Sequence, residues 1–346
     1  MIGKAAPIAV LIASYVEPEH VSRIREAAPW AEVLYEPALL PPPRYPADHY
    51  NTIQRSPDDE RRWRVLLARA DVLFDFDHGH FADLPVVAPR VRWVQATSAG
   101  IGQLLRRTEL DRTDIVFTTA SGVHAVPLAE FAALAMLYFA KQLPRLLERQ
   151  RDHHWERFAG GELRGRTVAV IGLGKIGMEV ARTSRALGLR VTGTRRSGAA
   201  AEPEAAVDMQ RPLGELRELL ADADYVVLAV PHTAETEGLI GARELSVMRR
   251  GAVLINIARG KVVDESALVE ALRSGQLGGA ALDVFAQEPL PAESPLWDLP
   301  NVLVSPHSAS TADSENAKLT DLFCENLRRY REGRPLVNMF DRVRGY

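Results

Sequence analysis

Between Thr167 and Arg196 the chain reads TVAVIGLGKIGMEVARTSRALGLRVTGTRR, and no other stretch narrows the choice of fold so far. Thr167 to Ile171 is an apolar, β-branched run of the kind buried on both faces of a parallel sheet. Gly172, Gly174 and Gly177 follow in G-x-G-x-x-G spacing. Helical periodicity then runs to Gly188, and a second strand pattern covers Leu189 to Thr194. Each glycine answers a different need: a tight turn, close approach of backbone to a pyrophosphate, and tight packing of helix on strand. The helix that opens here presents unpaired N–H groups and the positive end of its dipole to an anion. Spacing alone is a weak signal. Set between a strand and a helix, with the next strand on schedule, it specifies a dinucleotide-binding βαβ unit.

The rest of the chain repeats that alternation. Short strand patterns at 7–13, 31–35, 71–76, 91–96 and 115–119 are separated by helical ones such as Pro18–Ala28 and Asp58–Ala70, which predicts a parallel sheet ahead of the glycine unit. After it come helical patterns at 213–221 and 265–274 and one ending near Met248. Strand patterns at 225–230, 252–257, 280–284 and 302–304 complete a second doubly wound sheet. The fold class expected is therefore α/β, with two doubly wound parallel-sheet domains and a cleft between them: a Rossmann nucleotide-binding domain and a flavodoxin-like substrate domain. The substrate domain is expected to be discontinuous, residues 1–123 with 308–346, around a dinucleotide-binding domain at 124–307. The helical tail 311–330 is expected to fold back on the first domain.

At 346 residues the length suits about two domains. A formal net charge of −3 provides no basic footprint for nucleic acid. Cys324 is the only cysteine, which excludes an intramolecular disulfide and fits a reducing cytoplasm. The apolar run near the N-terminus reads as a first strand rather than a signal peptide. Leu128–Ala140, broken by Glu130, is well under the ~20 residues a bilayer needs, so no membrane partner is expected. That helix, opened by Pro127 and apolar nearly all round, should be buried, either between domains or against another subunit, with Pro144 kinking or ending it. The proline-rich 37–46 stretch can be neither helix nor central strand and reads as a surface loop, a lid or a solvent-facing insertion.

Three residues follow strand ends. Arg259 follows the 252–257 strand, Glu288 the 280–284 strand and His307 the 302–304 strand, where open α/β sheets bind ligands. Reducing a 2-oxo acid needs a hydride at the carbonyl carbon, a proton at its oxygen and a cation for the carboxylate. The planar fork of arginine suits the cation. Histidine suits proton transfer near neutral pH. A carboxylate on its far nitrogen fixes the tautomer and favours the imidazolium. The small-residue turn Gln95-ATSAGIG can form an anion nest from successive N–H groups.

These motifs, GLGKIG at 172–177, NIARG at 256–260, ALDVFAQEPL at 281–290 and SPHSAS at 305–310, together with SGVHAVPLAEF at 121–131 and ELRGRTVAVIGLG at 162–174, resemble the D-isomer-specific 2-hydroxyacid dehydrogenase family in order and spacing. The family includes glyoxylate/hydroxypyruvate reductases and 3-phosphoglycerate dehydrogenases. The likeness is good from Val91 onward and holds only in outline before it. It implies that Arg259, Glu288 and His307 are catalytic, and that Ser98, Ala99, Gly100 and Ile101 hold the substrate carboxylate beside Arg259 and His307. The cofactor residues it implies are Gly172, Leu173, Gly174, Lys175, Ile176, Gly177, Thr194, Arg195, Arg196, Val230, Pro231, His232, Ile257, Ala258, Arg259, Asp283 and His307. Asp283 would hold the nicotinamide carboxamide, and the family usually carries an apolar or small residue in place of His232. It further implies a homodimer with the 127–152 region near its interface, acting on a small 2-oxo or 2-hydroxy acid. Family members that use NAD(H) end the second strand of the unit in an acid for the ribose 2′-OH. Here that slot is Thr194-Arg195-Arg196, which favours NADP(H), with NAD(H) possible, since guanidiniums can clamp a 2′-phosphate. A phosphoglycerate dehydrogenase is the alternative within the class, and a dinucleotide-sensing corepressor is the alternative outside it.

Other signals read as structural. Asp75–His80 has the density of a metal site, but strand alternation would send neighbours to opposite faces, so no metal is expected. The resemblance places Asp77 and His78 near the substrate loop. His124 reads as a hinge or packing residue, His153–Trp155 as surface or interface, Cys324 as packed core, and Arg61–Arg64 and Arg328–Arg331 as solvated helix faces.

Overall fold

The computed structural model describes residues 7–195 and 205–345. Two units emerge, Met1–His124 with Thr311–Tyr346, and Ala125–Ser310. In the first, β1 (Ile8–Ile12), α1 (Pro18–Ala27), β2 (Ala31–Leu34), α2 (Pro57–Arg69), β3 (Val72–Phe74), α3 (Leu84–Val87), β4 (Trp93–Gln95), α4 (Gly102–Arg107) and β5 (Val116–Thr118) follow one another. The strands are all parallel in the order β2-β1-β3-β4-β5, the flavodoxin-like arrangement expected.

In the second unit come α5 (Ala125–Ala140), α6 (Leu143–Arg151), β6 (Thr167–Ile171), α7 (Lys175–Ala186), β7 (Arg190–Thr194), β8 (Met209–Arg211), α8 (Leu216–Asp222) and β9 (Tyr225–Leu228). Next are α9 (Ala242–Val247), β10 (Ala252–Asn256), α10 (Glu265–Arg273), β11 (Leu277–Leu282) and β12 (Val302–Val304). The parallel order β12-β11-β10-β9-β6-β7-β8 is the Rossmann order with one strand added. Helices cover both faces, and the central strands β6, β9 and β10 are buried along their whole length.

The last helix, α11 (Glu315–Arg331), lies in the first unit. Phe323 meets Phe74 and Trp93 with ring centroids 5.0 and 5.3 Å apart. Asn326, fully buried, donates to Gln95 Oε1 at 3.0 Å and to the Val337 carbonyl at 3.1 Å, and its own oxygen accepts the Val337 N–H at 2.7 Å. A buried amide with these partners carries no desolvation penalty, so it sets the register of the tail on the sheet.

Three details depart from the sequence reading. Several strands differ in extent from their apolar runs: β3 ends at Phe74, where Asp75 (φ 67°) turns out of the ladder, while β11 starts three residues before its run. β8 was not expected: it is a three-residue, half-buried edge strand with little apolar signal. Pro144 neither kinks nor ends α5; it lies in the first turn of α6, after a left-handed Gln142, and the two axes differ by 64°. In the single chain α5 buries Leu128, Ala132 and Met136 and leaves Leu134 51% exposed.

The proline-rich loop opens with a short 3-10 turn at Pro37–Leu39 and is anchored rather than loose. Arg44 grips Asp48 with two bonds, at 2.7 and 2.9 Å, and holds its carboxyl at about 2. His49, buried, sits between Ser14 Oγ at 2.6 Å and Asn316 Oδ1 at 2.8 Å. Among the described residues no single helix is long and apolar enough to cross a membrane.

Candidate active site

The order of the second sheet reverses between β6 and β9, and loops leave the carboxyl ends of those strands on either side of the switch. After β6 the three glycines are explained by what a Cβ would meet. At Gly172 (φ 104°) it would lie 2.9 Å from the Ala229 carbonyl oxygen. At Gly177 it would lie 2.0 Å from the Gly172 carbonyl oxygen, so α7 can rest on the turn only with no side chain there. At Gly174 it would meet nothing within 4 Å. That bare, outward backbone at the head of α7 is the cradle a diphosphate needs. Thr194, buried at the end of β7, spends its hydroxyl accepting the Gly172 N–H at 3.1 Å, so it braces the turn. Arg195 follows it, and Arg196 lies outside the described residues. Val230 abuts the Gly172 turn, and the carbonyl of Pro231 accepts the Thr236 hydroxyl at 2.7 Å. His232 Nε2 lies 3.6 Å from Glu237 Oε2.

Arg259, Glu288 and His307 leave three adjacent strands, β10, β11 and β12. His307 Nδ1 lies 2.8 Å from Glu288 Oε2. Glu288 Oε1 in turn accepts the Phe285 N–H at 3.0 Å, which curls the loop so that the carboxylate faces the ring. Burial raises the pKa of Glu288, but the hydrogen bonds from His307 and Phe285 and the charge of Arg259 outweigh it and hold the carboxyl below its ordinary value. An ionised Glu288 can only accept, so Nδ1 carries the proton of that bond and Nε2 is the nitrogen left for proton transfer. The Arg259 guanidinium donates to the Ala258 carbonyl at 2.7 Å. Its loop is shaped by Asn256, whose side chain accepts the Ala258 N–H at 3.0 Å and donates to the Arg259 carbonyl at 3.2 Å. Ile257 and Ala258 are buried beneath it.

Two contacts that sequence reasoning missed hold these loops together. One is Gly260: a Cβ there would lie 1.8 Å from the Phe285 carbonyl carbon, so the chain just past Arg259 presses on the loop that carries Glu288. The other is Asp283, buried at the end of β11. Its Oδ1 accepts from Ser305 Oγ at 2.6 Å and from the N–H groups of Ser308 and Ala309 at 2.9 Å each. The Asp283 carbonyl accepts the His307 N–H at 2.9 Å, and His307 itself is left-handed (φ 54°), a conformation these bonds enforce. The SPHSAS motif held the signal, in two serines flanking the histidine.

In the first unit, Ser98–Ile101 forms the turn after β4, with the Gly100 N–H on Ser98 Oγ at 3.2 Å. The alternation argument for Asp75–His80 does not apply, because β3 ends at Phe74 and the segment is no strand. Asp77 accepts the Trp63 indole N–H at 2.8 Å and lies 3.6 Å from Arg55; His80 bridges Asp83 at 2.9 Å and Glu60 at 2.8 Å. Among the described residues no group of three or more His, Cys, Asp or Glu is placed to hold a metal. His124 Nε2 lies 3.1 Å from Glu315 Oε1, a buried polar pair.

Residues 133–309 match the family model described as D-isomer specific 2-hydroxyacid dehydrogenase, NAD binding domain. The chain is 37% identical over 255 residues to a glyoxylate reductase of Thermococcus gammatolerans, covering 71% of this chain and 75% of that protein. A D-isomer specific 2-hydroxyacid dehydrogenase of Xanthobacter autotrophicus Py2, solved with NADPH and MES, is similar over 99% of this chain and 100% of its own, with a TM-score of 0.78 and 32% identity. An NADPH-dependent glyoxylate/hydroxypyruvate reductase of Sinorhizobium meliloti, solved with NADP and sulfate, covers 98% and 100% with a TM-score of 0.77 and 27% identity.

The contrast between two glycines is testable. Gly260→Ala should lower the unfolding free energy by about 1–3 kcal/mol, the cost of forcing packed loops apart. Gly174→Ala should stay within about 0.5 kcal/mol of the parent in stability yet weaken dinucleotide binding. Urea unfolding and a binding titration on both variants check this; equal stability losses would contradict the geometry.

Proposed function

The chain belongs to the D-isomer-specific 2-hydroxyacid dehydrogenase family, and on that premise we propose that it reduces a small 2-oxo acid of the glyoxylate or hydroxypyruvate kind to the D-2-hydroxy acid with NADPH. The observation that carries this reading is the His307–Glu288 pair at 2.8 Å, with Arg259 on the neighbouring strand end. The open backbone at Gly174 and the close packing at Gly172 and Gly177 fit a dinucleotide diphosphate. When bound, the nicotinamide supplies the hydride.

The chain's own groups do the rest. His307 gives a proton from Nε2 to the carbonyl oxygen as the carbon is reduced, and Glu288 stabilises the imidazolium before transfer and holds the ring in register. Arg259 binds the carboxylate and polarises the adjacent carbonyl. The N–H groups of the Ser98–Ile101 turn are the proposed second anchor for the carboxylate. Asp283 has one oxygen committed to the 305–309 loop, which leaves Oδ2 for the carboxamide. His307→Gln should lower kcat/KM for glyoxylate ~10²–10⁴-fold while NADPH affinity stays within about threefold. Full activity in that variant would remove His307 from the chemistry.

Cofactor choice rests on the end of β7, where the residues are Thr194 and Arg195 and no carboxylate is present to repel a 2′-phosphate. The NADPH and NADP bound by the Xanthobacter and Sinorhizobium proteins support the same choice. Arg195→Ala should cut kcat/KM for NADPH about tenfold or more, the loss of a charge-assisted bond, and leave that for NADH little changed. A parent enzyme equally fast with NADH would refute the preference.

The homodimer is supported by apolar side chains left exposed on the second unit. They are Leu134 and Leu137 on α5, Leu146 and Leu147 on α6, and Trp155, which is 94% exposed. Leu134→Lys with Leu146→Lys should convert a dimer to a monomer in sedimentation equilibrium. A monomeric parent would dismiss the assembly.

A further inference from the structure

The proposed reaction occupies the carboxyl ends of the second sheet and gives its amino ends no role. There, where β6, β9, β10 and β11 begin, the second unit holds a cavity of about 330 Å³, open to solvent. Arg166, Asp224 and Gly251 line it, each immediately ahead of one of the first three strands, and Gly278 is the second residue of the fourth. Gly278 shows bare backbone because a Cβ would lie 2.4 Å from the Gly251 carbonyl oxygen. Phe139, Ala140 and Val253 give the lining its apolar part. A five-residue strand such as β6 or β10 spans about 17 Å, which keeps this cavity apart from the Gly172 turn and the Arg259 loop.

The charged lining favours an anion. Arg166 and Arg249 reach the same oxygen, Asp224 Oδ1, at 3.2 and 3.4 Å, while Asp224 Oδ2 accepts the Thr167 N–H at 2.8 Å. One carboxylate therefore balances two guanidiniums, each of which has five N–H donors. Arg250, the third lining arginine, makes no ion pair among the described residues. Glu162 is the other lining acid, and it is exposed, where solvent screens it. One buried group also lacks a partner. Tyr225 lines the cavity and is 7% exposed, yet its hydroxyl makes no hydrogen bond among the described residues. Burial raises its pKa, so the hydroxyl keeps its proton at neutral pH and has a bond to donate. A buried donor beside guanidiniums is satisfied by an anion's oxygen. A flat carboxylate is matched by a single arginine fork. Donors spread over the starts of three strands suit a phosphate, with three oxygens and about two negative charges.

We propose that this cavity is a second ligand site, which binds the phosphate group of a small phosphomonoester and packs the organic part on Phe139, Ala140 and Val253. Arg250 and the Tyr225 hydroxyl bind the phosphate directly, and Arg166 and Arg249 divide their donors between it and Asp224. The site stands independently of the reductase reading, since none of its residues belongs to the proposed chemistry.

The test is isothermal titration calorimetry on the full chain, with and without saturating NADPH, using phenyl phosphate, glycerol 3-phosphate and inorganic phosphate in turn. With NADPH present, the cofactor's own phosphate sites are filled, so heat from an added ester reports the second site. Both esters should bind with Kd of about 1 mM or tighter, and about threefold or more tighter than inorganic phosphate, because the organic part is buried. Arg250→Gln should weaken ester binding about tenfold, and Tyr225→Phe about fivefold, through loss of charge-assisted bonds. Glu162→Gln should tighten it, and all three variants should keep the parent kcat/KM for NADPH. The site is overturned if neither ester binds up to about 10 mM, if NADPH abolishes their binding, or if Arg250→Gln leaves it intact. Inorganic phosphate binding as tightly as both esters also overturns it. A parent chain that binds the esters but reduces no 2-oxo acid would remove the reductase reading and leave this site standing.

Discussion

One carboxylate oxygen organises the chemistry of this protein. Asp283 Oδ1 accepts three donors from a loop that follows a different strand, and the Asp283 backbone takes the His307 N–H as a fourth tie. A buried carboxylate is costly unless its oxygens are satisfied, so this cluster has one low-energy arrangement. That arrangement forces His307 into a left-handed backbone which an unsupported histidine would rarely adopt. The strain is acceptable because the bonds overdetermine it. His307 then meets Glu288 because the two loops leave neighbouring strands, with no long-range adjustment required.

Gly260 acts as the complementary constraint. A side chain there would occupy the Phe285 carbonyl, so the Arg259 loop and the Glu288 loop share a space that only hydrogen can fill. Arg259 is close enough to lower the Glu288 pKa, and among the described residues its guanidinium meets only the Ala258 carbonyl and no carboxylate in an ion pair. A charge kept near but unspent is what binding a substrate carboxylate requires. The cluster of Arg259, Glu288 and His307 is built from strand ends, one glycine contact and one buried acid, all within the second unit.

Much of this was legible because parallel sheets write themselves strongly into sequence. The runs at β6, β9 and β10 are continuous and apolar because both faces are covered, and the glycine spacing marks the turn that a helix must crowd. What was illegible has equally physical causes. β8 is a short edge strand whose half-exposed residues Met209, Gln210 and Arg211 need no apolar pattern. β11 starts at Leu277, ahead of the 280–284 pattern, because Gly278 and Gly279 add no apolar signal. A Cβ on Gly279 would lie 2.3 Å from the Phe139 ring, so a packing demand imitates a breaker. Pro144 reads as a stop from the α5 side and as a start from the α6 side, and only the left-handed Gln142 before it decides between them.

The first unit was read less well, for a physical reason. Its informative residues lie on loops, where neither period 2 nor period 3.6 applies. Asp77 and His80, neighbours in a dense polar run, are absorbed by Trp63, Arg55, Glu60 and Asp83, partners scattered from residue 55 to residue 83. His49 closes the proline-rich loop through Ser14 and Asn316, at separations of 35 and 267 residues. No local pattern announces such pairings, since each side chain is polar for a reason that lies elsewhere in the chain. Residues at strand ends are held by the ladder and tolerate little change, whereas loop residues such as His78 and Phe81 can be changed without disturbing a strand. The type of reaction is therefore legible in motifs, while pairings made by loops become legible only in the fold.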